Sequence, residues 1–238
     1  MRAYGSNVLH FDPYYLLFFV PGMLLSLWAS ARVKSTFHKY SQVASRRGFT
    51  GAEAARELIR RRGIAGVQVE ETQGFLSDHY DPRHRVLRLS PDVYHGRSLA
   101  SVGVAAHEAG HAIQHATSYG PLKFRSYVVK PAMLGSNLGT IAAGIGLAVQ
   151  SAGLIWLGII LFSAFVLFTL VTLPVEFDAS KRAVAALREI GMIDADEVSG
   201  TSAVLKAAAM TYVAAAITAL LQLLYFLMRA GLLGGRRD

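Results

Sequence analysis

The sequence predicts a mainly α-helical membrane protein that has about four transmembrane helices and a small α+β unit between the first and the second of them. The composition is 53% hydrophobic and the mean hydropathy is +0.35, which exceeds what soluble domains usually show. Four apolar segments also approach the roughly 20 residues that a helix needs to cross a bilayer. They are residues 14–31, 128–150, 153–173 and 207–228.

The polar region between the first two predicted spans, residues 32–127, holds 15 Lys+Arg and 8 Asp+Glu. Because basic residues collect on the cytoplasmic side of a membrane, this excess predicts a cytoplasmic region beside anionic lipid and an N-terminus outside. The run Arg60-Arg61-Arg62 could indicate nucleic-acid binding. Charge beside a membrane explains the run better, so no nucleic-acid partner is expected.

The first predicted span has a second interpretation as a cleaved signal peptide, because Ala29-Ser30-Ala31 resembles a cleavage site. Arg2 is the lone basic residue before the span and is balanced by Asp12, whereas the sequence after it is strongly basic. This asymmetry favours a membrane anchor.

Capping, alternation and turn signals predict the elements of the α+β unit. They are a helix opened by Thr50 and Glu53 and ended by Gly63, a strand at residues 67–71, two strand-like runs around Asp81-Pro82, a short helix from Ser90-Pro91, and a helix over residues 98–117.

The second and third predicted spans are separated only by Ser151 and Ala152, so they should form a tight helical hairpin. Gly135, Gly139 and Ala143 follow the spacing that lets two membrane helices approach closely.

The last helix of the polar region carries the pattern His107-Glu108-Ala109-Gly110-His111. Residues four apart lie on one helical face, so both imidazoles can bind one metal ion. The sequence has no cysteine, and neutral imidazoles suit Zn²⁺. Glu108 lies one step round the helix, where it could act as general base toward a zinc-activated water without being a ligand. Small Ala109 and Gly110 are expected to leave room beside the metal.

Two other interpretations of this helix fit less well. A buried structural helix would need partners for two histidines and a glutamate in an apolar setting. An intramembrane site would need about 20 apolar residues, but only residues 99–106 precede His107. A zincin-type helix at the membrane surface fits best.

A catalytic zinc site takes three protein ligands, so a third ligand is expected. His115 lies about two turns from His107 and is the weaker candidate. Glu176 is the better one, because the hairpin returns the chain to the same membrane face and places this carboxylate in the first turn of a following helix. An acidic residue there could instead only stabilise a helix N-terminus.

Four stretches, LSDHYDPRHRVLRLSPDVY, SVGVAAHEAGHAIQ, LPVEFDAS and LKAAAMTYVAAA, resemble in this order the YugP-type membrane zinc metallopeptidases. The resemblance covers nearly the whole chain and implies a membrane-bound neutral zinc metallopeptidase with a zincin-like catalytic unit. It implies His107 and His111 as zinc ligands and Glu108 as catalytic base. Glu176 is similar to the downstream glutamate ligand of gluzincins.

The sequence departs from the broader membrane gluzincins at one position. Their motif has an aspartate four residues after the ligand glutamate, and Ser180 stands there. The residue that orients a zinc-binding histidine is then either Asp178, which would point to another face of a helix, or a different residue.

Substrate contacts are predicted at an edge of the α+β unit. In zincins an extended peptide commonly lies along a strand edge beside the metal helix, and the run GFLSDHYDP offers one. The oxyanion formed during hydrolysis also needs a donor, for which His79, Tyr80 and Tyr212 are candidates. The segment around Asp81-Pro82 could equally serve only as turn chemistry.

Together these observations predict a membrane-anchored zinc endopeptidase, multi-pass in the cell membrane, that acts on peptides or membrane-protein segments and contacts the lipid bilayer. An intramembrane zinc protease and a non-catalytic zinc-binding scaffold or transporter are the alternatives. Charged residues inside the spans would favour transport, and the third and fourth spans have none. The predicted regions are residues 1–31 with the first span, 32–127 as catalytic domain, 128–173 as helical hairpin, 174–206 with the third ligand, and 207–238 with the fourth span and a basic tail.

Overall fold

The computed structural model describes residues 13–231, which form seven helices and a three-stranded sheet. The charge comparison between Arg2 and Asp12 falls outside these residues. In chain order the elements are α1 (Pro13–Ser41), α2 (Gly51–Arg61), β1 (Gln68–Glu71), β2 (His79–Asp81), β3 (Val86–Leu89), α3 (Pro91–Tyr94), α4 (Leu99–Ala116), α5 (Gly120–Ala148), α6 (Ala152–Glu189) and α7 (Glu197–Arg229).

The predicted elements of the polar region are confirmed. The Thr50 hydroxyl accepts a hydrogen bond from the Glu53 amide at 3.1 Å, and the Glu53 carboxylate accepts one from the Thr50 amide at 2.8 Å, so the predicted capping box starts α2. Strand β3 pairs in parallel with β1 and antiparallel with β2. The strand order β1-β3-β2 leaves β2 at one edge of the sheet.

The turn between β2 and β3 is built by Asp81, as its sequence suggests. Its Oδ1 atom accepts hydrogen bonds from the backbone amides of Arg83 at 2.9 Å and His84 at 3.2 Å. A side chain that satisfies two free amides in this way closes a turn without help from the rest of the fold.

Three helices of the described part of the chain are long and apolar enough to cross a membrane, namely α1, α6 and α7. Helix α5 contains the predicted second span but is not one of the three; polar residues such as Asn137 and Thr140 interrupt its apolar sequence. It packs along α6 as the expected hairpin. A Cβ atom on Gly135 would lie 2.5 Å from the Leu161 carbonyl oxygen, and one on Gly139 would lie 2.7 Å from the Phe162 amide nitrogen. The small residues therefore let the two backbones touch.

The three candidate spanning helices continue without a break into the polar part of the molecule. Helix α1 runs ten residues past the predicted end at Ala31, and α7 begins ten residues before the predicted span. Helix α6 passes through Pro174 and ends only at Glu189. The expectation that Glu176 lies in the first turn of a new helix is therefore wrong, because it lies in the middle of α6.

Buried apolar side chains form two clusters. One joins α2, the sheet and α4 to the ends of α6 and α7 outside the predicted spans, and includes the fully buried Leu58, Leu89 and Leu187. The other joins the predicted spans around Phe162 and Phe226. The second half of α4 packs against the middle of α6, where the Gln114 side chain donates a hydrogen bond to the Val175 carbonyl.

Candidate metal centre

Helix α4 carries the two motif histidines and starts at a side-chain cap. The Ser98 hydroxyl accepts a hydrogen bond from the Ser101 amide at 3.1 Å, which satisfies one of the free donors of the first turn. The spacing of four residues then places the rings of His107 and His111 on one face, edge to face, with centroids 4.8 Å apart.

Gly110 brings α4 into backbone contact with α6. A Cβ atom at this position would lie 2.5 Å from the carbonyl oxygen of Ala179, which is closer than any side chain allows. The expectation that Gly110 leaves room beside a metal is corrected, because its missing side chain makes room for α6. This contact holds Glu176, one helical turn before Ala179, against the histidines.

The donor atoms of His107, His111 and Glu176 converge on one point. The Oε2 atom of Glu176 lies 3.2 Å from Nε2 of His107 and 3.6 Å from Nε2 of His111, and the potential ligand atoms all lie within 4.8 Å of one another. Tetrahedral zinc with bonds near 2.1 Å places its ligand atoms about 3.4 Å apart. The spacing of these side chains therefore fits a zinc ion.

The other ring nitrogen of His111 is held by Gln114, at 3.0 Å from its Oε1 atom. The Gln114 amide nitrogen donates to the Val175 carbonyl and to Asp178, both at 2.8 Å, which fixes the orientation of the amide. Its oxygen must then accept a proton from Nδ1 of His111, which leaves the Nε2 lone pair toward the metal position. Asp178 thus acts on His111 through Gln114.

Ser180 takes the corresponding place beside His107, because its hydroxyl lies 3.1 Å from Nδ1 of that ring. This residue stands at the position where the broader gluzincins have an aspartate. A hydroxyl can accept the Nδ1 proton as a carboxylate would, but it adds no negative charge.

Glu176 is only 1% exposed, and its second oxygen faces a cation. The Arg125 guanidinium of α5 lies 2.9 Å from Oε1, on the opposite oxygen from the histidines. A buried carboxylate needs such a partner to remain charged. Arg125 therefore leaves Oε2 as the oxygen that meets the imidazoles.

The pKa values of His111 and Asp78 are both raised above their usual values. Burial lowers the pKa of His111, but hydrogen bonding to Glu176 and the charge of Glu108 raise it by more, so that its pKa lies above the usual value. Burial also raises the pKa of Asp78, and the nearby Glu108 charge adds to the effect, against the hydrogen bonds that Asp78 accepts from Ser90. Glu108 is itself buried, at 8% exposure, and its charge acts on both His111 and Asp78.

The three candidates for an oxyanion donor lie in different places. Tyr212 of α7 lies near the centre. Its hydroxyl interacts with Glu176 and with the charges of Glu108 and Arg125. Tyr80 lies on β2 and pairs with His115, its hydroxyl 2.8 Å from Nδ1. His79 is exposed on the same edge strand, with Nδ1 2.8 Å from the Ser77 carbonyl oxygen.

Sequence reasoning missed Gln114 and Arg125 altogether and noted Ser180 only as a departure. A signal existed for Gln114, which lies three residues after His111 and so on its side of the helix. Arg125 gave no signal, because it looks like any other basic residue beside a membrane.

Helices that are long and apolar enough to cross a membrane, and that meet at a His-His-Glu cluster beside a buried glutamate, fit the class of membrane zinc peptidases. Residues 15–231 match the family described as "Putative neutral zinc metallopeptidase", and the chain belongs to this family. It is 49% identical over 204 residues to the "Putative membrane protease YugP" of Bacillus subtilis (strain 168), an alignment that covers 86% of this chain and 91% of that protein. No solved structure matches the chain.

Proposed function

We propose that this protein is a membrane-anchored zinc endopeptidase that cleaves peptides or membrane-protein segments close to the membrane surface. The observation that carries the proposal is the convergence of His107, His111 and Glu176 at distances that fit zinc. Family membership and the relative's name support the same class of activity.

In this proposal His107, His111 and Glu176 hold the metal, and Zn²⁺ bound there would supply Lewis-acid activation of water. Glu108 accepts the proton of the attacking water and passes it to the leaving amine. Glu108 directly follows His107 in α4 and is buried, which supports this role. Tyr212 donates its hydroxyl hydrogen to the oxyanion that develops on the substrate carbonyl, since it faces the cluster from α7.

The edge strand β2 supplies the proposed substrate site. An extended peptide can add to its free edge through backbone hydrogen bonds, which demand little of the peptide sequence. Strand β2 lies beside α4, as the contact of Tyr80 with His115 indicates. A peptide bound there would run past the end of the metal helix.

We further propose four membrane spans, with α5 as the least apolar of them, and a cytoplasmic catalytic region. Support comes from the packing of α5 along α6 and from the basic excess of residues 32–127. Glu176 lies three residues beyond the third predicted span, which favours cleavage at the membrane surface over cleavage within the bilayer.

The test combines zinc analysis with cleavage of a broad peptide library by the purified full chain in detergent. Glu108→Gln should retain zinc, because Glu108 is not a ligand, and should lower kcat by about 10² or more, because the general base is lost. Asp92→Asn, an exposed carboxylate in α3, is the matched control and should retain activity. Equal activity of Glu108→Gln and the wild type would contradict the proposed enzymatic function.

A further inference from the structure

A groove between α6 and α7 lies behind the candidate metal centre. It has a volume of about 360 Å³, and its lining includes Phe177, Ser180, Lys181 and Arg188 of α6 and Leu205 and Lys206 of α7. Ser180 contacts Nδ1 of His107, the ring nitrogen on the far side from Glu176. The groove is thus separate from the metal position but shares one residue with its surroundings.

Three cations of the groove have no acidic partner. Lys181, Arg188 and Lys206 form no ion pair within 4.0 Å with any residue from 13 to 231, and no carboxylate lines the groove. Neighbouring arginines behave differently, since Arg182 pairs with Asp178 at 2.5 Å and Arg62 pairs with Glu189 at 2.5 Å. The groove therefore offers unmatched positive charge.

The groove also has a direction relative to the membrane. Helices α6 and α7 run antiparallel, so Phe177 lies at the end near the predicted spans and Arg188 lies about 16 Å farther along α6. Phe177 is 49% exposed and Leu205 is buried in the wall. Lys181 and Lys206 lie between the two ends. The end of the groove near the bilayer is thus apolar, and its cations lie farther from the bilayer.

We propose that this groove binds one anionic phospholipid, with its phosphate between Lys181, Lys206 and Arg188 and its acyl chain along Phe177. Basic pockets between membrane helices at the headgroup level bind anionic headgroups in this way. The order of apolar and basic residues fits a lipid that enters from the bilayer better than a free phosphate, which would gain nothing from Phe177. This inference goes beyond the proposed peptidase and does not depend on it.

The experiment measures lipid retained by the purified full chain, using native mass spectrometry in detergent with equal amounts of phosphatidylglycerol and phosphatidylcholine. The wild type should retain phosphatidylglycerol in preference. The double variant Lys181→Gln/Lys206→Gln should lower this retention by at least about tenfold, because it removes two of the three phosphate contacts.

The matched control is Lys34→Gln/Lys130→Gln, which removes the same charge from exposed lysines of α1 and α5. It should retain phosphatidylglycerol like the wild type. The substituted lysines of both variants are exposed, so their helical content by circular dichroism should equal that of the wild type. If the groove variant folds and retains as much lipid as the control, the proposal is wrong.

Two competitors test the identity of the occupant. Glycerol phosphate at millimolar concentration should leave the bound lipid in place, because it lacks the chain that contacts Phe177. An acidic peptide should also fail to displace it. Displacement by glycerol phosphate would reassign the groove to a soluble phosphate, and displacement by the peptide would reassign it to a protein segment; either result overturns the lipid site.

Discussion

The Arg125 guanidinium lies 2.9 Å from Oε1 of Glu176, while the two motif histidines meet the other oxygen of the same carboxylate. Helix α5 therefore takes part in the centre through Arg125. Arg125 is a permanent positive charge in contact with this carboxylate, which is 1% exposed, whether or not a metal is bound.

The first prediction concerns this pair. Arg125→Gln should destabilise the zinc-free protein by about 1–3 kcal/mol, because it leaves a buried carboxylate with less compensation, although the partial exposure of Arg125 reduces the cost. Zinc supplies positive charge to the same carboxylate, so the loss of Tm should be smaller when zinc is present. Thermal unfolding with zinc and with a chelator measures both.

Two variants serve as controls for Arg125. Arg125→Lys keeps a positive charge and should lose less stability than Arg125→Gln. Lys123→Gln removes an exposed cation from the same helix and should change Tm little, with or without zinc. An equal loss of Tm in Arg125→Gln in both conditions would show that Arg125 supports packing rather than Glu176.

The second prediction concerns metal binding itself. His107→Ala and Glu176→Gln should each lose most of the zinc found with the wild type, because a site with three protein ligands holds the metal poorly with two. His79→Ala removes an exposed histidine from β2 and should keep the zinc. Elemental analysis of the purified chains is the measurement, and full zinc content in His107→Ala would contradict the proposed ligand set.

The third prediction selects among the oxyanion candidates. Tyr212→Phe should lower kcat by about 10² or more with little change in KM, because it removes a donor that acts in the transition state. Tyr80→Phe and His79→Ala should keep near-normal kcat, since Tyr80 pairs with His115 and His79 lies exposed on the strand. Zinc content must be compared alongside, because Tyr212 also faces Glu176. Normal kcat in Tyr212→Phe would place the donor elsewhere.

The fourth prediction concerns the contact between α4 and α6. Gly110→Ala should destabilise the protein by about 1–3 kcal/mol, because the new methyl group would meet the Ala179 carbonyl and push the helices apart. Gly144→Ala in α5 has open space around its Cβ position and should be neutral or slightly stabilising. Thermal unfolding of both variants compares them, and an unchanged Tm in Gly110→Ala would contradict the close crossing.

The local parts of this structure could be predicted from sequence because each depends on neighbours in the chain. Thr50 and Glu53 are three residues apart, and His107 and His111 are four apart, so spacing alone gives their geometry. Glu176 could be placed on the same side as the histidines by counting predicted spans, without any knowledge of packing.

The partners of these residues could not be predicted, because their contacts join distant parts of the chain. Arg125 and Ser180 reach the centre only once α5 and α6 pack against α4. Pro174 suggested a helix end, since proline lacks an amide hydrogen and disfavours a helix interior. Tertiary packing of α6 on both sides overrides that local preference, so the helix continues.

The unbroken course of α6 through Pro174 ties the position of Glu176 to the position of the third predicted span in the bilayer. Glu176 lies about 4.5 Å along the axis from the last residue of the third predicted span, within the same continuous helix. A thicker bilayer makes a spanning helix stand more upright, and a thinner one makes it tilt. We therefore expect the height at which a substrate is cut, and so the length of the stub left in the membrane, to vary with the acyl-chain length of the surrounding lipid.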